Sequence, residues 1–180
     1  MAEPLSLPPV PEPPKGERLK NKVVLLTGAA QGIGEAIVAT FASQQARLII
    51  SDIQGEKVEK VAAGWRDKGF DVQAIKADVS RQQDLHAMAR LAIERHGRID
   101  VLVNCAGVNV FRDPLEMTEE DWHRCFAIDL DGAWYGCKAV LPQMIEQGIG
   151  SIINIASTHS THIIPGCFPY PVAKHGLLGL

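Results

Sequence analysis

The chain has 180 residues, 46% of them hydrophobic and 22% charged, a length and balance that point to one globular domain with a sizeable core. Lysine plus arginine number 18 against 21 aspartate plus glutamate, and the net charge of −3 offers no basic field for a phosphate backbone, which excludes nucleic acid as the expected partner. No apolar run approaches the roughly 18 residues of a membrane span, and the N-terminus lacks the basic start and apolar middle of a secretory signal, so the chain reads as cytoplasmic.

Residues 1–18 hold six prolines, Pro4, Pro8, Pro9, Pro11, Pro13 and Pro14, without an apolar period. They read as a disordered tail ahead of a single cofactor-binding and catalytic domain over 19–180. From there short apolar runs alternate with helical patterns. Strands are predicted at 23–26, 47–51 and 71–76, with helices over about 32–45 and 55–68 between them. Ser80 and Gln83 have the spacing of a capping box, opening a helix that reaches about His96 and stops at Gly97. A fourth strand is predicted at 99–103. Thr118 followed by Glu119, Glu120 and Asp121 predicts the capped, acidic start of a long helix that runs to about Gln147, with Pro142 bending or breaking its last turns. The run 151–156 predicts a fifth strand, and a last helix starts near Tyr170. Five apolar strands separated mostly by helices imply an α/β fold: a Rossmann-like, doubly wound parallel sheet with its ligand site at the carboxyl ends of the strands. The cysteines Cys105, Cys125, Cys137 and Cys167 form no C-x-x-C pair and read as reduced packing thiols.

After the first strand stands T-G-A-A-Q-G-I-G at 27–34, with Gly28, Gly32 and Gly34. Glycines between a strand and a helix let the chain turn tightly and let a pyrophosphate approach unpaired helix N–H groups, although a plain glycine-rich turn has the same look. Asp52 follows the second strand, where a carboxylate can accept from ribose hydroxyls and repel a 2′-phosphate, favouring NAD over NADP; an N-cap or surface role is the alternative. Tyr170 and Lys174 are four apart on a predicted helix and so share a face, with Pro171 suited to its first turn. A phenol with a reference pKa near 10 is a poor base at neutral pH, and lowering it by about 3 units takes roughly 4 kcal/mol, within reach of a neighbouring ammonium and a cationic cofactor.

These motifs, together with Asp78-Val79, N-C-A-G at 104–107 and Ser157, fall in an order that closely resembles the short-chain dehydrogenase/reductase family over about 19–180. The resemblance implies a cofactor set of Gly28, Gln31, Gly32, Ile33, Gly34, Asp52, Asp78, Val79, Asn104, Ala106, Gly107, Tyr170 and Lys174. It implies that Ser157 holds the substrate oxygen, Tyr170 exchanges the proton, and Lys174 binds the nicotinamide ribose and eases ionisation of the tyrosine. The expected reaction moves a hydride between NAD and a secondary alcohol, carbonyl or sugar hemiacetal. One position departs from the pattern: the family's usual N-L-x-G reads Asp129-Leu-Asp-Gly132 here, which leaves Asp129 a supporting role with altered charge and donor capacity.

The expected substrate lip holds Asn109, Phe111 and Arg112 on one side and Thr158, His159, Ser160, Thr161 and His162 on the other. This polar set favours a sugar or polyol. His159-x-x-His162 lacks a third ligand, and no metal is expected. Two alternatives remain. One is a 3-oxoacyl carrier-protein reductase, which would favour NADP. The other is a cofactor-binding fragment without catalysis, because family members usually continue with further strands and a substrate-covering segment, so the fifth strand is expected beside an unpaired sheet edge. Relatives of full length are expected to be homo-oligomers.

Overall fold

A run such as Val23-Val-Leu-Leu26 offers apolar side chains to both faces of a strand and therefore needs cover on both. The computed structural model, which describes residues 13–180, provides it. The elements in chain order are β1 (Val23–Thr27), α1 (Gly32–Ser43), β2 (Arg47–Asp52), α2 (Gly55–Arg66), β3 (Val72–Lys76), α3 (Gln82–His96), β4 (Val101–Asn104) and α4 (Glu119–Phe126). A π-helical segment (Ala127–Asp131) then leads into α5 (Gly132–Gln147), β5 (Ser151–Asn154), a 3-10 turn (Thr158–Ser160) and α6 (Tyr170–Gly179).

The strands form one parallel sheet in the order β3-β2-β1-β4-β5. Alternation within β1 sends Val23 and Leu25 to one face and Val24 and Leu26 to the other. The first pair packs with Leu85, Met88 and Ala92 of α3 and Val140 of α5. The second packs with Val38 and Ala42 of α1 and Val58 and Ala62 of α2. Burying each such Val or Leu side chain contributes about 1.5–3 kcal/mol. The chain order reverses between β1 and β4, and their carboxyl ends diverge at Thr27 and Asn104. β5 is an outer strand, as expected, with Ile153 exposed. Among the described residues no helix is long and apolar enough to cross a membrane.

At the opposite, amino-terminal end of the strands the buried side chain of Asp100 gathers three partners. It accepts from the Val23 N–H at 2.9 Å, from Lys22 Nζ at 3.3 Å and from Arg98 at 2.8 and 2.6 Å. Its backbone carbonyl also accepts from the Ser151 N–H, so one residue ties the starts of β1, β4 and β5.

Three local expectations need correction. The capping box at Ser80 and Gln83 does not form: α3 starts at Gln82 behind Arg81 without a side-chain cap. Ser80 instead donates its hydroxyl to Asp78 Oδ1 at 2.7 Å and its N–H to the same oxygen at 3.0 Å, which holds the side chain in the turn before α3. The long helix is not one continuous α-helix from Thr118 to Gln147. Its Thr118 cap is present, accepting from the Asp121 N–H at 3.1 Å, but the irregularity is the π segment, and Pro142 lies within α5. The fifth strand ends at Asn154, two residues before the expected end. Of the expected disordered segment, residues 1–12 lie outside the described residues. The stretch next to the domain runs along the end of α1, where Gln44 Nε2 donates to the Pro14 carbonyl at 2.7 Å and the Gly16 N–H to Ser43.

Burial pushes the Asp100 carboxyl upward, but Arg98, the Val23 N–H and Lys22 outweigh it and hold it below the ordinary carboxylate range. Its stabilising effect is therefore present above about pH 4, the ordinary value, and is lost as pH falls through the depressed native one. Asp100→Asn should cost about 2 kcal/mol at pH 7, with the gap to wild type closing in acid. Urea unfolding at pH 7 and pH 3 measures both.

Candidate active site

Thr27 ends β1 with its side chain buried, and its hydroxyl oxygen accepts from the Cys105 and Ala106 N–H groups at 3.1 and 3.2 Å. This draws the loop after β4 across the end of β1. Gly28 permits the approach: at φ +70° a Cβ would lie 2.6 Å from the Ala106 Cα. Gly34 packs as tightly, since its Cβ would meet the Gly28 carbonyl at 2.0 Å. Gly32 differs. It has φ +59° but open space where a Cβ would stand, at the start of a helix whose N-cap, Gln31, supplies no side-chain hydrogen bond. Gln31 instead accepts from Lys57.

A cleft of about 460 Å3 opens over this turn and runs to α6. Gly28, Gln31, Gly32, Ile33, Gly34, Asp52, Asp78, Val79, Ala106, Gly107, Asp129, Tyr170 and Lys174 all line it. Asp52, almost buried, accepts from the Ala30 N–H at 3.1 Å and the Gln54 N–H at 2.9 Å through different oxygens, which fixes its carboxylate at the end of β2. Asp78 is held through Oδ1 by Ser80. Val79 packs on the start of α5, where a Cβ at Gly132 would come within 2.9 Å of it; this contact accounts for the glycine of D-L-D-G.

Two predicted residues stand outside the lining. Asn104 lies beneath it, donating from Nδ2 to the Ala133 carbonyl at 3.2 Å and to Asn154 at 2.9 Å, so it clamps β4 to α5 and β5. Ser157 follows the lining residues Ile155 and Ala156. It caps the 3-10 turn, its hydroxyl oxygen accepting from the His159 N–H at 3.1 Å. The turn is fastened to α6 by Ser160, which donates its hydroxyl to the Lys174 carbonyl at 2.8 Å, and by His175, whose Nδ1 lies 2.7 Å from the Ser160 carbonyl. Ser157 is thus held in register with the helix that carries Tyr170.

Lys174 is buried. Its Nζ lies 3.2 Å from Asp129 Oδ1, donates to the Ile155 carbonyl at 3.2 Å and stands 5.7 Å from the Tyr170 ring centroid. Burial pushes the Asp129 carboxyl above its ordinary range, against the pull of Lys174 and the Val108 N–H. Burial and the neighbouring Asp129 push the Cys125 thiol up to about 12.

The lip carries one large apolar side chain, Phe111, 41% exposed, beside its polar groups. The Phe111 ring meets Tyr170 edge-on at 5.7 Å, and Ile163 and Ile164, which follow His162, are 68% and 56% exposed. Arg112 is taken by Asp121 at 2.9 Å. His159 stays near Tyr170, with ring centroids 6.3 Å apart, and its Nδ1 faces the His162 carbonyl at 3.2 Å. Sequence reasoning missed Ile53, 58% exposed yet lining the cleft beside Asp52; an isoleucine directly after a strand-end aspartate is a usable signal. It also missed Thr27 as a bridge and the Ile155 carbonyl, for which sequence carries no signal.

A family model described as short chain dehydrogenase matches residues 22–180. Oxidoreductase UcpA of Salmonella typhimurium is 40% identical over 164 residues, which are 91% of this chain and 62% of that protein. A D-threitol dehydrogenase of Mycolicibacterium smegmatis is 36% identical over 163 residues, 91% of this chain and 63% of that protein. The crystal structure of a short chain dehydrogenase/reductase from Burkholderia phymatum in complex with NAD superposes with a TM-score of 0.87 at 28% identity, covering 89% of this chain and 58% of that one. The chain thus spans about three fifths of the length of these relatives.

The glycines separate strain from contact. Gly32→Ala should cost about 1 kcal/mol, the left-handed backbone alone. Gly28→Ala adds a clash with Ala106 and should cost about 3 kcal/mol or more. Urea midpoints of the two variants give the comparison.

Proposed function

The chain belongs to the short-chain dehydrogenase family, and from that premise we propose that it is an oxidoreductase transferring a hydride between NAD and a secondary alcohol, carbonyl or sugar hemiacetal, with Tyr170 as general acid and base. The observation that carries this reading is that Tyr170 and Lys174 line the same cleft as the glycine turn and Asp52. Bound NAD supplies the hydride acceptor or donor. The chain's own groups suit that ligand. The uncapped start of α1 and the open space at Gly32 fit a pyrophosphate. The Asp52 carboxylate keeps acceptor capacity for ribose hydroxyls beyond its two backbone donors, and its charge opposes the extra phosphate of NADP. Asp78, Val79 and Ile53 would flank an adenine, and Lys174, in the same cleft, would hold the nicotinamide ribose.

In the oxidative direction Tyr170 takes the hydroxyl proton of the substrate, and in reduction it returns one. Ser157 accepts the His159 N–H at its oxygen, which leaves its own O–H to donate to the substrate oxygen. A polyol or sugar is the favoured substrate class. Support comes from the D-threitol dehydrogenase relative, from Asn109, which lines the cleft, and from the Ser157 hydroxyl.

Incubation with threitol, other polyols, aldoses and acetoacetyl thioesters, each with NAD and NADP, is read at the absorbance of the reduced cofactor. Polyol or sugar oxidation with NAD is expected. Preferred thioester reduction with NADPH would support a 3-oxoacyl carrier-protein reductase instead. A melt raised by NAD with no turnover of any substrate would support a binding role without catalysis. Tyr170→Phe should lower kcat at least about 100-fold while retaining NAD binding, and full activity in that variant would contradict the assignment.

A further inference from the structure

Asp129 stands where the family pattern has asparagine, and it faces a buried cation. Its side chain has no exposure, and its Oδ1 lies 3.2 Å from the Nζ of Lys174, whose side chain is 6% exposed. The Val108 N–H donates to the same carboxylate at 3.2 Å, and Cys125 Sγ lies 3.8 Å from Oδ2. Gly107 closes the enclosure: a Cβ there would come within 2.7 Å of Asp129 Oδ1 and 3.3 Å of Lys174 Nζ. Either charge alone would be costly at this depth, and each offsets the other.

An ammonium has three N–H donors. Asp129 and the Ile155 carbonyl engage two of them, which leaves one for the cleft. We propose that Asp129 is the counter-ion and positioning residue of Lys174, holding the ammonium against Ile155 and limiting how much of its charge acts on Tyr170. This rests on the reading of Tyr170 as the proton-exchanging group. An asparagine would keep much of the geometry but leave the lysine charge uncompensated, so more of it would act on the phenol. The aspartate therefore confines proton exchange to a higher pH range than the neutral side chain would. Among the other titratable groups facing the pair, burial pushes the Cys105 and Cys125 thiols upward and keeps them uncharged at neutral pH. The His159 ring lies 6.3 Å from that of Tyr170, centroid to centroid.

Tyr135 and Tyr170 are the two tyrosines of the 180-residue chain, so 13Cζ-tyrosine labelling gives two NMR signals that Tyr170→Phe assigns. The Tyr170 signal should titrate about one pH unit lower in Asp129→Asn than in wild type, the effect of one unit charge at an effective dielectric near 20. The Tyr135 signal should not move. An unchanged Tyr170 titration in folded Asp129→Asn overturns the proposal. Urea unfolding provides an independent arm. Lys174→Met leaves a buried carboxylate without its cation and should lower the midpoint more than the double variant Asp129→Asn/Lys174→Met, which carries neither charge. An equal or larger loss in the double variant also overturns the proposal. Neither arm needs turnover, so missing NAD-linked activity would count against the proposed function alone.

Discussion

Where β1 and β4 part, two backbones have to meet. The Thr27 hydroxyl holds the N–H groups of Cys105 and Ala106, and Gly28 presents no side chain to Ala106. The same glycine's carbonyl is the surface against which Gly34 packs, so the start of α1 is set by the contact that closes the floor of the cleft. Everything above that floor follows. The direction of α1, the crevice between Asp52 and Ala106, and the distance from the glycine turn to α6 all take their reference from a junction with no room for a methyl group.

Two buried carboxylates mark the opposite ends of the sheet, and their surroundings give them opposite characters. Asp100, at the amino ends, is met by an arginine, a lysine and a backbone N–H, which overcome burial and hold its carboxyl low. It secures the strands. Asp129, at the carboxyl ends, is enclosed more deeply, and burial wins over Lys174 and the Val108 N–H. Its position depends on the π segment, which interrupts the helical run between Thr118 and Gln147 and sets this residue inside. π-Helical turns inside helices occur frequently at functional sites, because the irregular turn re-aims a side chain at a local cost in helix geometry.

Most of the architecture was legible in the sequence because its causes are local. Continuous apolar runs signal strands covered on both faces, Thr118 carries its own acidic first turn, and Gly97 stops α3 in a left-handed conformation that glycine adopts without strain. The glycine turn, Asp52 and the Tyr170-Lys174 spacing were legible for the same reason. What escaped depends on partners far along the chain. The Asp129-Lys174 pair joins separate elements, and nothing in I-D-L-D-G announces a π turn. Arg112 looked like a lip residue because Asp121, its partner, reads equally well as a charge on the first turn of α4. Ser80 looked like a cap because its spacing was right, while Asp78, the residue that holds its hydroxyl, was read only as a cofactor residue.

If the crevice between β1 and β4 is a nicotinamide dinucleotide site continuous with Tyr170 and Lys174, a titration of NAD into the 15N-labelled chain, followed by amide chemical shifts, reads it most directly. Saturable shifts are expected at Gly32, Gly34, Ile53, Val79 and Gly107 and at the start of α6, with the groove beside β5 formed by Leu141, Met144 and Ile152 unmoved. An absence of saturable shifts, or shifts confined to that groove, would contradict it.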